Sequence, residues 1–411
     1  MKIAIISGND PHYLRDVNGS TVILTNLAKN YSKSGHNVDI FTPLGLSGHH
    51  YVPDKTNAQM KFPDILYRNV SVIRFPVSHT ADKPSYSSND QKFARRLEKA
   101  RSEAAYFDNQ LLRNYDLVLI MHMMHAIGIV ERENSALDKT VVMPLFVGKF
   151  YSNYSEVPPW HIELEAQILR QLKHIHTISR AESDVIVSDY GVPTNSVFIV
   201  PAGYDNEVFK PNPRRNIVKN SAINVFHANR IAVRKGQTHF LSIVGEAKSR
   251  NLDLAVHFVG LDSHVYNAEA NDCARELVRM VSKAGLKDNF IFYDLLPHQE
   301  MAQVMSQCQV SIYPSVSETF GLSALESTAT GLPTIVFNDV PAFRDFIKHR
   351  ETGLVVPRDA LAVVDQLGEL VADSNLYSHI SNEGIQSSRQ FTWKSIMEIL
   401  ISTYKERGLI K

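Results

Sequence analysis

Two glutamates eight positions apart mark the stretch Ser317-Glu318-Thr319-Phe320-Gly321-Leu322-Ser323-Ala324-Leu325-Glu326. The apolar run before it, Val310–Tyr313, has the composition of a buried strand, and the residues from Leu322 to Gly331 follow the pattern of a helix. Glu318 is therefore expected in the loop at the carboxyl end of a strand, where open α/β sheets bind their ligands.

The second glutamate is expected about two turns into the following helix. Eight residues at roughly 100° each bring Glu326 to within about 80° of the side of Glu318, so both carboxylates can face one cleft. Between them, the backbone N–H groups of Phe320, Gly321 and Leu322 open the helix and are available as hydrogen-bond donors. Two acceptors on either side of a row of donors suit a ligand with many hydroxyl groups.

This segment resembles the Glu-x7-Glu motif of retaining glycosyltransferases with the GT-B fold, of the family-four (group 1) type. The resemblance implies that Glu318 and the following backbone amides hold the hydroxyls of the donor sugar, and that Glu326 holds the ribose of the nucleotide. The donor-binding residues that it implies here are Thr319, Phe320, Gly321, Leu322 and Glu326. A helix start at the surface with a solvated glutamate is the alternative.

Length and composition limit the classes of protein that fit. A chain of 411 residues exceeds the size of one hydrophobic core, so two domains are expected. A formal net charge of zero argues against a general nucleic-acid binder. Cys273 and Cys308 are the only cysteines, which implies no disulfide framework. The chain has neither a signal-peptide pattern at its start nor an apolar run of about 18 residues, so a cytoplasmic protein is expected.

Strand-like runs alternate with helical stretches along the whole chain, which is typical of doubly wound α/β sheets. In the first half the predicted strands are Lys2–Ile6, Asn37–Phe41, Ser71–Phe75, Leu117–Ile120, Thr140–Leu145 and Ser196–Val200. In the second half they are Ile223–His227, Asp253–Val259, Phe290–Tyr293, Val310–Tyr313, Thr334–Phe337 and Gly353–Val356.

These runs predict two Rossmann-like domains that face each other across a cleft. The first domain is predicted at 1–205 and the second at 221–390, and the GT-B resemblance implies that the first binds the acceptor and the second the nucleotide sugar. The polar, proline-containing residues 206–220 between them are interpreted as a linker. Residues 391–411 have helical apolar spacing, and the GT-B resemblance implies that this helix crosses back to the first domain.

A pair of cations follows the first strand of the second half. The departing diphosphate of a nucleotide sugar needs a positive counter-charge, from a metal ion or from fixed cations. No convincing Asp-x-Asp pattern stands near a strand end, so fixed cations are favoured and no metal is expected. The segment around Arg230 and Lys235 resembles the Gly-Arg-x4-Lys-Gly element of the family, with Asn229 in place of the glycine. The resemblance implies that both cations neutralise the leaving diphosphate; a surface loop is the alternative.

Two histidines follow the strand Leu117–Ile120, in the order His122-Met123-Met124-His125-Ala126. This order resembles a His-x-x-His-Ala element in which one histidine contacts the transferred sugar near its 6-hydroxyl. His122 is the first choice for that catalytic contact, and His125, the second choice, is also assigned to the acceptor. A zinc-binding pair and a buried structural histidine remain alternatives, although no glutamate accompanies the pair as in metalloproteases.

The first predicted helix starts at a glycine. The segment Val17-Asn18-Gly19-Ser20-Thr21 resembles the Gly-Gly turn that lets the backbone approach the donor phosphate, with Asn18 in place of the first glycine. Gly19 is therefore assigned to the donor, and Thr21, in the same segment, to the acceptor. Farther along, the basic run 95–101 is interpreted as a solvated helix side, with a peripheral membrane contact as the alternative.

Taken together, these patterns predict a retaining, metal-independent glycosyltransferase that needs no cofactor. The resemblance implies a nucleotide diphosphate sugar as the donor, with UDP as the expected nucleotide from its frequency in the family and GDP as the next candidate, and the acceptor hydroxyl is unknown. Acceptor contacts are expected from the loops Gly8–Ser20, Ser78–Ser88 and Lys149–Pro159. The alternatives are a degenerate GT-B subunit that binds glycan or a partner transferase, and a GT-B enzyme of other chemistry, such as a sugar-nucleotide epimerase or a phosphorylase.

Overall fold

The structure is a computed structural model that describes residues 1–8, 19–44, 68–76, 88–107, 109–132, 137–151, 157–212, 215, 217, 221–261 and 268–410. Val17 and Asn18 of the predicted glycine turn lie outside the described residues, as do most of the predicted acceptor loops 8–20 and 78–88. The chain folds into two compact units, Met1–Ala202 with Ile396–Lys411, and Gly203–Ser395.

The described part of the first unit contains a seven-stranded sheet in the order β3-β2-β1-β4-β5-β6-β7, with every neighbouring pair parallel. Its strands are β1 Lys2–Ile6, β2 Asn37–Leu44, β3 Val70–Pro76, β4 Leu117–Met121, β5 Thr140–Met143, β6 Ile175–Thr177 and β7 Val197–Ile199. The helices are α1 Gly19–Lys33, α2 Asn89–Ala104, α3 Asn109–Arg113, α4 Met123–Val130, α5 Gly148–Tyr151, α6 Pro159–Leu169 and α7 Arg180–Ser188.

The described part of the second unit contains a six-stranded parallel sheet in the order β10-β9-β8-β11-β12-β13. Its strands are β8 Ile223–Ala228, β9 Leu254–Val259, β10 Phe290–Tyr293, β11 Val310–Tyr313, β12 Thr334–Phe337 and β13 Leu354–Val356. The helices are α8 His239–Ser249, α9 Ala268–Lys283, α10 His298–Gln307, α11 Leu322–Ala329, α12 Ala360–Ala372 and α13 Ser374–Ser388, followed by α14 Trp393–Glu406.

Burial explains why the strand runs are so apolar. All residues of β4, β5, β11 and β12 are buried, because helices cover both faces of a parallel sheet. Since all strands of a sheet run the same way, the loops that follow them lie along one edge. In the second sheet β8 and β11 are neighbours, so the loops after these two strands are adjacent.

The predicted α/β class with two parallel-sheet units is confirmed. The strand β6 is absent from the strands predicted from the sequence. β5 ends at Met143 instead of Leu145, because Pro144 has no N–H to donate to a sheet and Leu145 adopts a positive φ of 56°. Within the described residues, no helix is long and apolar enough to cross a membrane.

The segment 206–220, interpreted as a linker, is part of the second unit. Two of its described residues are bound there: the backbone N–H of Asn212 donates to the Thr330 carbonyl, and the Arg215 guanidinium donates to the carbonyls of Thr330 and Met305. The last helix, α14, begins in the second unit, and from Ile396 onward it belongs to the first. Its Tyr404 is fully buried and forms an edge contact with Phe198 of β7.

Candidate functional site

A buried ion pair lies at the carboxyl edge of the second sheet. The Lys235 ammonium lies 2.6 Å from each carboxylate oxygen of Glu318, and both residues are buried. Lys235 ends a short 3-10 turn that follows β8, and Glu318 lies in the loop that follows β11. The Ser315 hydroxyl donates a third hydrogen bond to this carboxylate, at 2.7 Å from Oε1. Three hydrogen bonds from two side chains thus fix the orientation of the Glu318 side chain.

The backbone holds the two loops against each other. The N–H groups of Val316 and Ser317 donate to the carbonyl oxygen of Arg234, at 2.8 and 3.3 Å. Gly236 follows with φ 64°, and a Cβ there would collide with the carbonyl oxygen of Pro314. Only glycine combines this left-handed backbone with so close an approach. The Lys-Gly pair of the sequence is therefore needed for the contact between Lys235 and Glu318.

The electrostatics of the pair favour the charged forms at neutral pH. Burial lowers the pKa of Lys235 to about 8, and the adjacent Glu318 carboxylate opposes that shift. Burial alone would raise the pKa of Glu318, but the charges of Lys235 and Arg234 hold it below its ordinary value. The exposed Arg230 belongs to the same group of charges, since it lowers the pKa of Lys235 further. Two cations, Lys235 and Arg234, thus act on the Glu318 carboxylate, and Arg230 acts on Lys235.

A row of backbone donors follows Glu318. Gly321 precedes α11 with φ 96°, and a Cβ there would lie 2.5 Å from the Phe343 ring. Phe320 is buried, with its ring 5.3 Å from that of Phe346, so only its backbone can serve a ligand. No described residue accepts a hydrogen bond from the N–H groups of Phe320, Gly321 and Leu322. Thr319, the residue between Glu318 and this row, is partly buried.

Glu326 lies in the second turn of α11, one turn nearer the helix start than predicted. The carboxyl group is buried, and none of the described residues donates a hydrogen bond to it. Burial, together with the nearby Asp205, raises the pKa of Glu326 to about 8. Tyr313 contributes to the same surroundings, because both glutamates raise the pKa of its hydroxyl. The two glutamates of the motif are thus both close enough to one buried tyrosine to act on its hydroxyl.

The first unit brings the two predicted histidines together at the carboxyl end of β4. Their ring centroids are 6.5 Å apart. His122 precedes α4 with φ 75° and ψ 136°, a backbone conformation that residues other than glycine rarely adopt. Burial and the neighbouring His125 lower the pKa of His122 to about 4, so this imidazole is neutral at pH 7.

His125 is held by a buried carboxylate. Its Nδ1 lies 3.0 Å from Oε2 of Glu103 in α2, and Lys99 lies 3.4 Å from the same carboxylate. On the other side, a Cβ at Gly8 would lie 2.6 Å from His125 Nε2, so the loop after β1 approaches this ring closely. Across the described residues, no group of three or more His, Cys, Asp or Glu side chains is arranged to hold a metal ion.

The remaining predicted residues lie at the start of α1. Gly19 begins the helix, and no described atom lies within 4 Å of a Cβ built on it. Thr21, assigned to the acceptor, is buried on the inner side of the same helix. In α2, Arg101 of the basic run is bound to Glu131 at 2.7 Å, and Arg96 packs over the Phe93 ring. These contacts favour the solvated helix side, and the membrane contact stays a prediction.

Two further residues that contact predicted site residues, one in each unit, were not predicted from the sequence. Ser315 follows a buried strand and precedes Glu318 by three positions, so its place in the loop was readable, although its contact was not. Glu103 is far from His125 in the sequence and carries no motif of its own. Only the packing of α2 against α4 brings the side chains of Glu103 and His125 together.

The fold and the site together define a class. Two parallel-sheet units, with a cation–carboxylate pair and a row of N–H donors at one sheet edge, are the arrangement of GT-B glycosyltransferases. Two families match the chain: Glycosyl transferases group 1 at residues 209–387 and Glycosyltransferase Family 4 at residues 17–208. The chain belongs to the group 1 glycosyltransferases of the GT-B fold, which transfer a sugar from a nucleotide sugar.

Several known proteins resemble this chain over most of its length. The mannosylfructose-phosphate synthase of Agrobacterium fabrum is 21% identical to this chain, and the matched region covers 98% of this chain and 90% of that protein. The MMP α-(1→4)-mannosyltransferase of Mycolicibacterium hassiacum is 24% identical, with 99% of this chain and 98% of that protein covered.

Solved structures share the fold. The sucrose-phosphate synthase of Thermosynechococcus elongatus has a TM-score of 0.77 at 20% identity, with 98% of both chains covered. The Anabaena protein HepE, solved in complex with UDP and glucose, has a TM-score of 0.68 at 16% identity, covering 99% of this chain and 100% of that chain.

Proposed function

We propose that this chain is a retaining glycosyltransferase that moves a sugar from a nucleotide diphosphate sugar to an acceptor hydroxyl without a catalytic metal ion. The observation that carries the proposal is the buried contact of 2.6 Å between Lys235 and Glu318 at the carboxyl edge of the second sheet. A lysine ammonium has three N–H donors, so Lys235 can hold both carboxylate oxygens and still donate to a phosphate oxygen.

In the proposed reaction, the bond between the anomeric carbon and the β-phosphate oxygen breaks, and the nucleotide diphosphate leaves with the electron pair. Negative charge grows on the departing oxygen, where Lys235 and Arg230 stabilise it as fixed cations. The acceptor hydroxyl forms the new bond from the same side and passes its proton to the departing phosphate oxygen. The anomeric configuration is therefore kept.

Glu318 is proposed to orient the sugar and not to attack it. Its two oxygens are bound by Lys235 and Ser315, so they can accept hydrogen bonds from sugar hydroxyls in one fixed orientation. The free N–H groups of Phe320 and Gly321 supply complementary donors. Retaining glycosidases differ, since their paired carboxylates act covalently.

Glu326 is proposed to bind the ribose. A buried carboxyl group without a described donor is costly unless a ligand supplies the hydrogen bonds, and two ribose hydroxyls would do so. His122 of the first unit is proposed to contact the transferred sugar. As a neutral imidazole it has one donor and one acceptor for a hydroxyl group.

Support for the finer assignments comes from proteins of similar fold and sequence. HepE was solved with UDP and with UDP-glucose, which favours UDP as the nucleotide. The Mycolicibacterium relative forms an α-(1→4) linkage by name, which is compatible with retention of an α-configured donor. Three relatives or neighbours carry mannosylfructose phosphate, sucrose phosphate or inositol 3-phosphate in their names, so phosphorylated sugars and polyols come first in an acceptor screen.

A ligand screen tests the proposal. The melting temperature is measured with UDP, GDP, ADP and their glucose or mannose conjugates, once in EDTA and once with Mg²⁺. A ligand at 100 times its Kd stabilises the folded state by about 2.7 kcal/mol. We expect UDP and a UDP-sugar to raise the melting temperature in EDTA, and UDP to be released when an acceptor is added.

Other outcomes separate the alternatives. Nucleotide binding without any release of UDP would favour a degenerate subunit, and conversion of one UDP-sugar into another would favour an epimerase. Stabilisation that requires Mg²⁺ would contradict the metal-independent mechanism.

A further inference from the structure

Arg358 lies at the carboxyl edge of the second sheet, outside all the residues assigned above. It follows β13 and immediately precedes Asp359, whose side chain caps α12. Because β11, β12 and β13 are adjacent and parallel, the loops after these three strands lie side by side. Arg358 lies in the last of these loops and makes contacts in the other two.

The guanidinium of Arg358 reaches into the loop after β11. Nη2 donates to the carbonyl oxygen of Ser315 at 2.8 Å, and Nη1 donates to that of Pro314 at 3.2 Å. In the loop after β12, Asp339 accepts two hydrogen bonds from the same group, at 2.8 Å from Nε and 2.7 Å from Nη2. The guanidinium also stacks over the Phe337 ring, 4.5 Å from its centroid.

The two carbonyls that Arg358 holds support both halves of the Lys235–Glu318 pair. Ser315 is the residue whose hydroxyl binds Glu318, at 2.7 Å. The Pro314 carbonyl occupies the space that a side chain at Gly236, next to Lys235, would need. A shift of these carbonyls would therefore move the carboxylate and the ammonium relative to each other.

A plain surface ion pair is the competing explanation for these contacts. The Asp339 side chain is 45% exposed and that of Arg358 is 21% exposed. Such a pair contributes little to stability. Yet the planar guanidinium is bound by four directed hydrogen bonds, two of them to one backbone segment, and this fork geometry fixes position more than a lysine could.

We propose that Arg358 is a positioning residue for glycosyl transfer, which fixes the Pro314–Ser315 backbone and through it the orientation of Glu318. This inference rests on the proposed role of Glu318. Arg358 acts through the loop and touches neither sugar nor nucleotide in this account. Asp339 holds the guanidinium from the solvent side and contributes less.

The test compares Arg358→Gln, Arg358→Lys and Glu318→Gln with wild type. A double variant carries both Arg358→Gln and Glu318→Gln. Arg250→Gln is the matched control, because Arg250 is also an ion-paired arginine, but its partners are the carboxylates of Glu246 in α8 and Asp365 in α12. We expect Arg358→Gln to lower kcat at least tenfold and to leave the Kd for UDP within twofold. The kcat of Arg358→Lys should lie between those of Arg358→Gln and wild type, and the kcat of Arg250→Gln should match that of wild type.

Two further readouts identify action through Glu318. In the Glu318→Gln background, Arg358→Gln should lower the remaining activity no further. Hydrogen exchange at Val316 and Ser317, whose N–H groups bind the Arg234 carbonyl, should be faster in Arg358→Gln than in wild type. An unchanged kcat in Arg358→Gln, or equal losses of kcat and UDP affinity with a lower melting temperature, would overturn the inference. Full activity in Glu318→Gln would instead overturn the proposed function itself.

Discussion

Lys235 and Glu318 form a two-pronged contact in which Nζ lies 2.6 Å from both carboxylate oxygens, although 83 residues separate them in the sequence. Their side chains are only 11% and 8% exposed. The cation assigned to the diphosphate and the carboxylate assigned to the sugar are thus one structural unit. A change in either residue is expected to alter the other, in both stability and catalysis.

Removal of one member of this pair should destabilise the protein more than removal of both. Lys235→Met leaves the Glu318 carboxylate buried and unpaired, which costs about 3–5 kcal/mol for buried pairs. The double variant Lys235→Met/Glu318→Gln should regain part of that loss, as measured by urea denaturation at pH 7. Lys348→Met is the control, since it breaks an exposed pair with Glu351 and should leave the denaturation midpoint almost unchanged. Additive losses in the double variant would show that the two groups are not coupled.

Substitutions of the two glutamates of the motif should affect different steps, sugar transfer for Glu318 and nucleotide binding for Glu326. Glu318→Gln should cripple transfer and leave UDP binding near normal, because this carboxylate is assigned to the sugar. Glu326→Ala should weaken UDP binding by about 0.5–1.5 kcal/mol per lost hydrogen bond, the range for uncharged groups, because the raised pKa keeps this carboxyl protonated at pH 7. Calorimetric titration with UDP measures both variants, and similar losses of affinity in the two would refute the assignment.

Stability should depend on pH through Glu326. Burial raises the pKa of this group from 4.5 to about 8, so between these values the folded protein holds a proton that the unfolded chain has lost. Glu326 on its own should therefore lower the free energy of unfolding as pH rises from about 4.5 to 8, by at most about 1.4 kcal/mol per pH unit for one proton. Buried His122, His176 and His227 act in the opposite direction up to about pH 6.5, because burial lowers their pKa values to about 4, so the fall should be seen above pH 6.5.

Glu182 contributes in the same direction, because burial raises its pKa to about 7. Glu326→Gln and Glu182→Gln should each flatten the dependence in urea titrations at several pH values. Between pH 7 and 8, where Glu182 has already lost its proton, the remaining fall in stability should come from Glu326 and should be absent from the Glu326→Gln curve. An unchanged slope in that interval would mean that Glu326 titrates normally.

The backbone of His122 predicts an unusual order of stability. At φ 75° and ψ 136° a side chain is strained by about 1–3 kcal/mol, and glycine is not. His122→Gly should therefore be more stable than His122→Ala, although glycine normally loses more chain entropy on folding. Both variants should lose transfer activity, because neither can hydrogen-bond the sugar. Chemical denaturation of the two proteins decides, and a more stable alanine variant would show that the strain is absent.

The sequence predicted those parts of the site that are local. Glu318, the N–H row and Lys235 each follow a buried strand within a few residues, and the residue pattern alone places them at a sheet edge. The contact between Lys235 and Glu318 was not predictable in this way, because it depends on β8 and β11 being neighbours in the sheet. The same holds for Arg358, whose partners lie 43 and 44 residues away on another strand's loop.

The strain at His122 and the partner of His125 were hidden for a related reason. The residues around His122 do not predict its positive φ, since its neighbours Met121 and Met123 are ordinary buried residues. Glu103 stands in a charged helix that was interpreted as solvated, and only the packing of α2 on α4 turns it toward His125. Sequence patterns give the face of a helix, but the neighbour of that face depends on the tertiary fold.

The stereochemistry of the released sugar tests the central claim most directly, and it needs no knowledge of the acceptor. The enzyme is incubated with UDP-glucose, or with whichever α-linked UDP-sugar binds in the ligand screen, and slow hydrolysis is followed by the anomeric proton signals in NMR spectra. In the proposed front-face reaction, water takes the place of the acceptor and attacks from the side that UDP leaves. The α-anomer should therefore appear first and convert to the equilibrium mixture only later. Early accumulation of the β-anomer would contradict the retaining mechanism and would require a general base on the opposite side of the sugar.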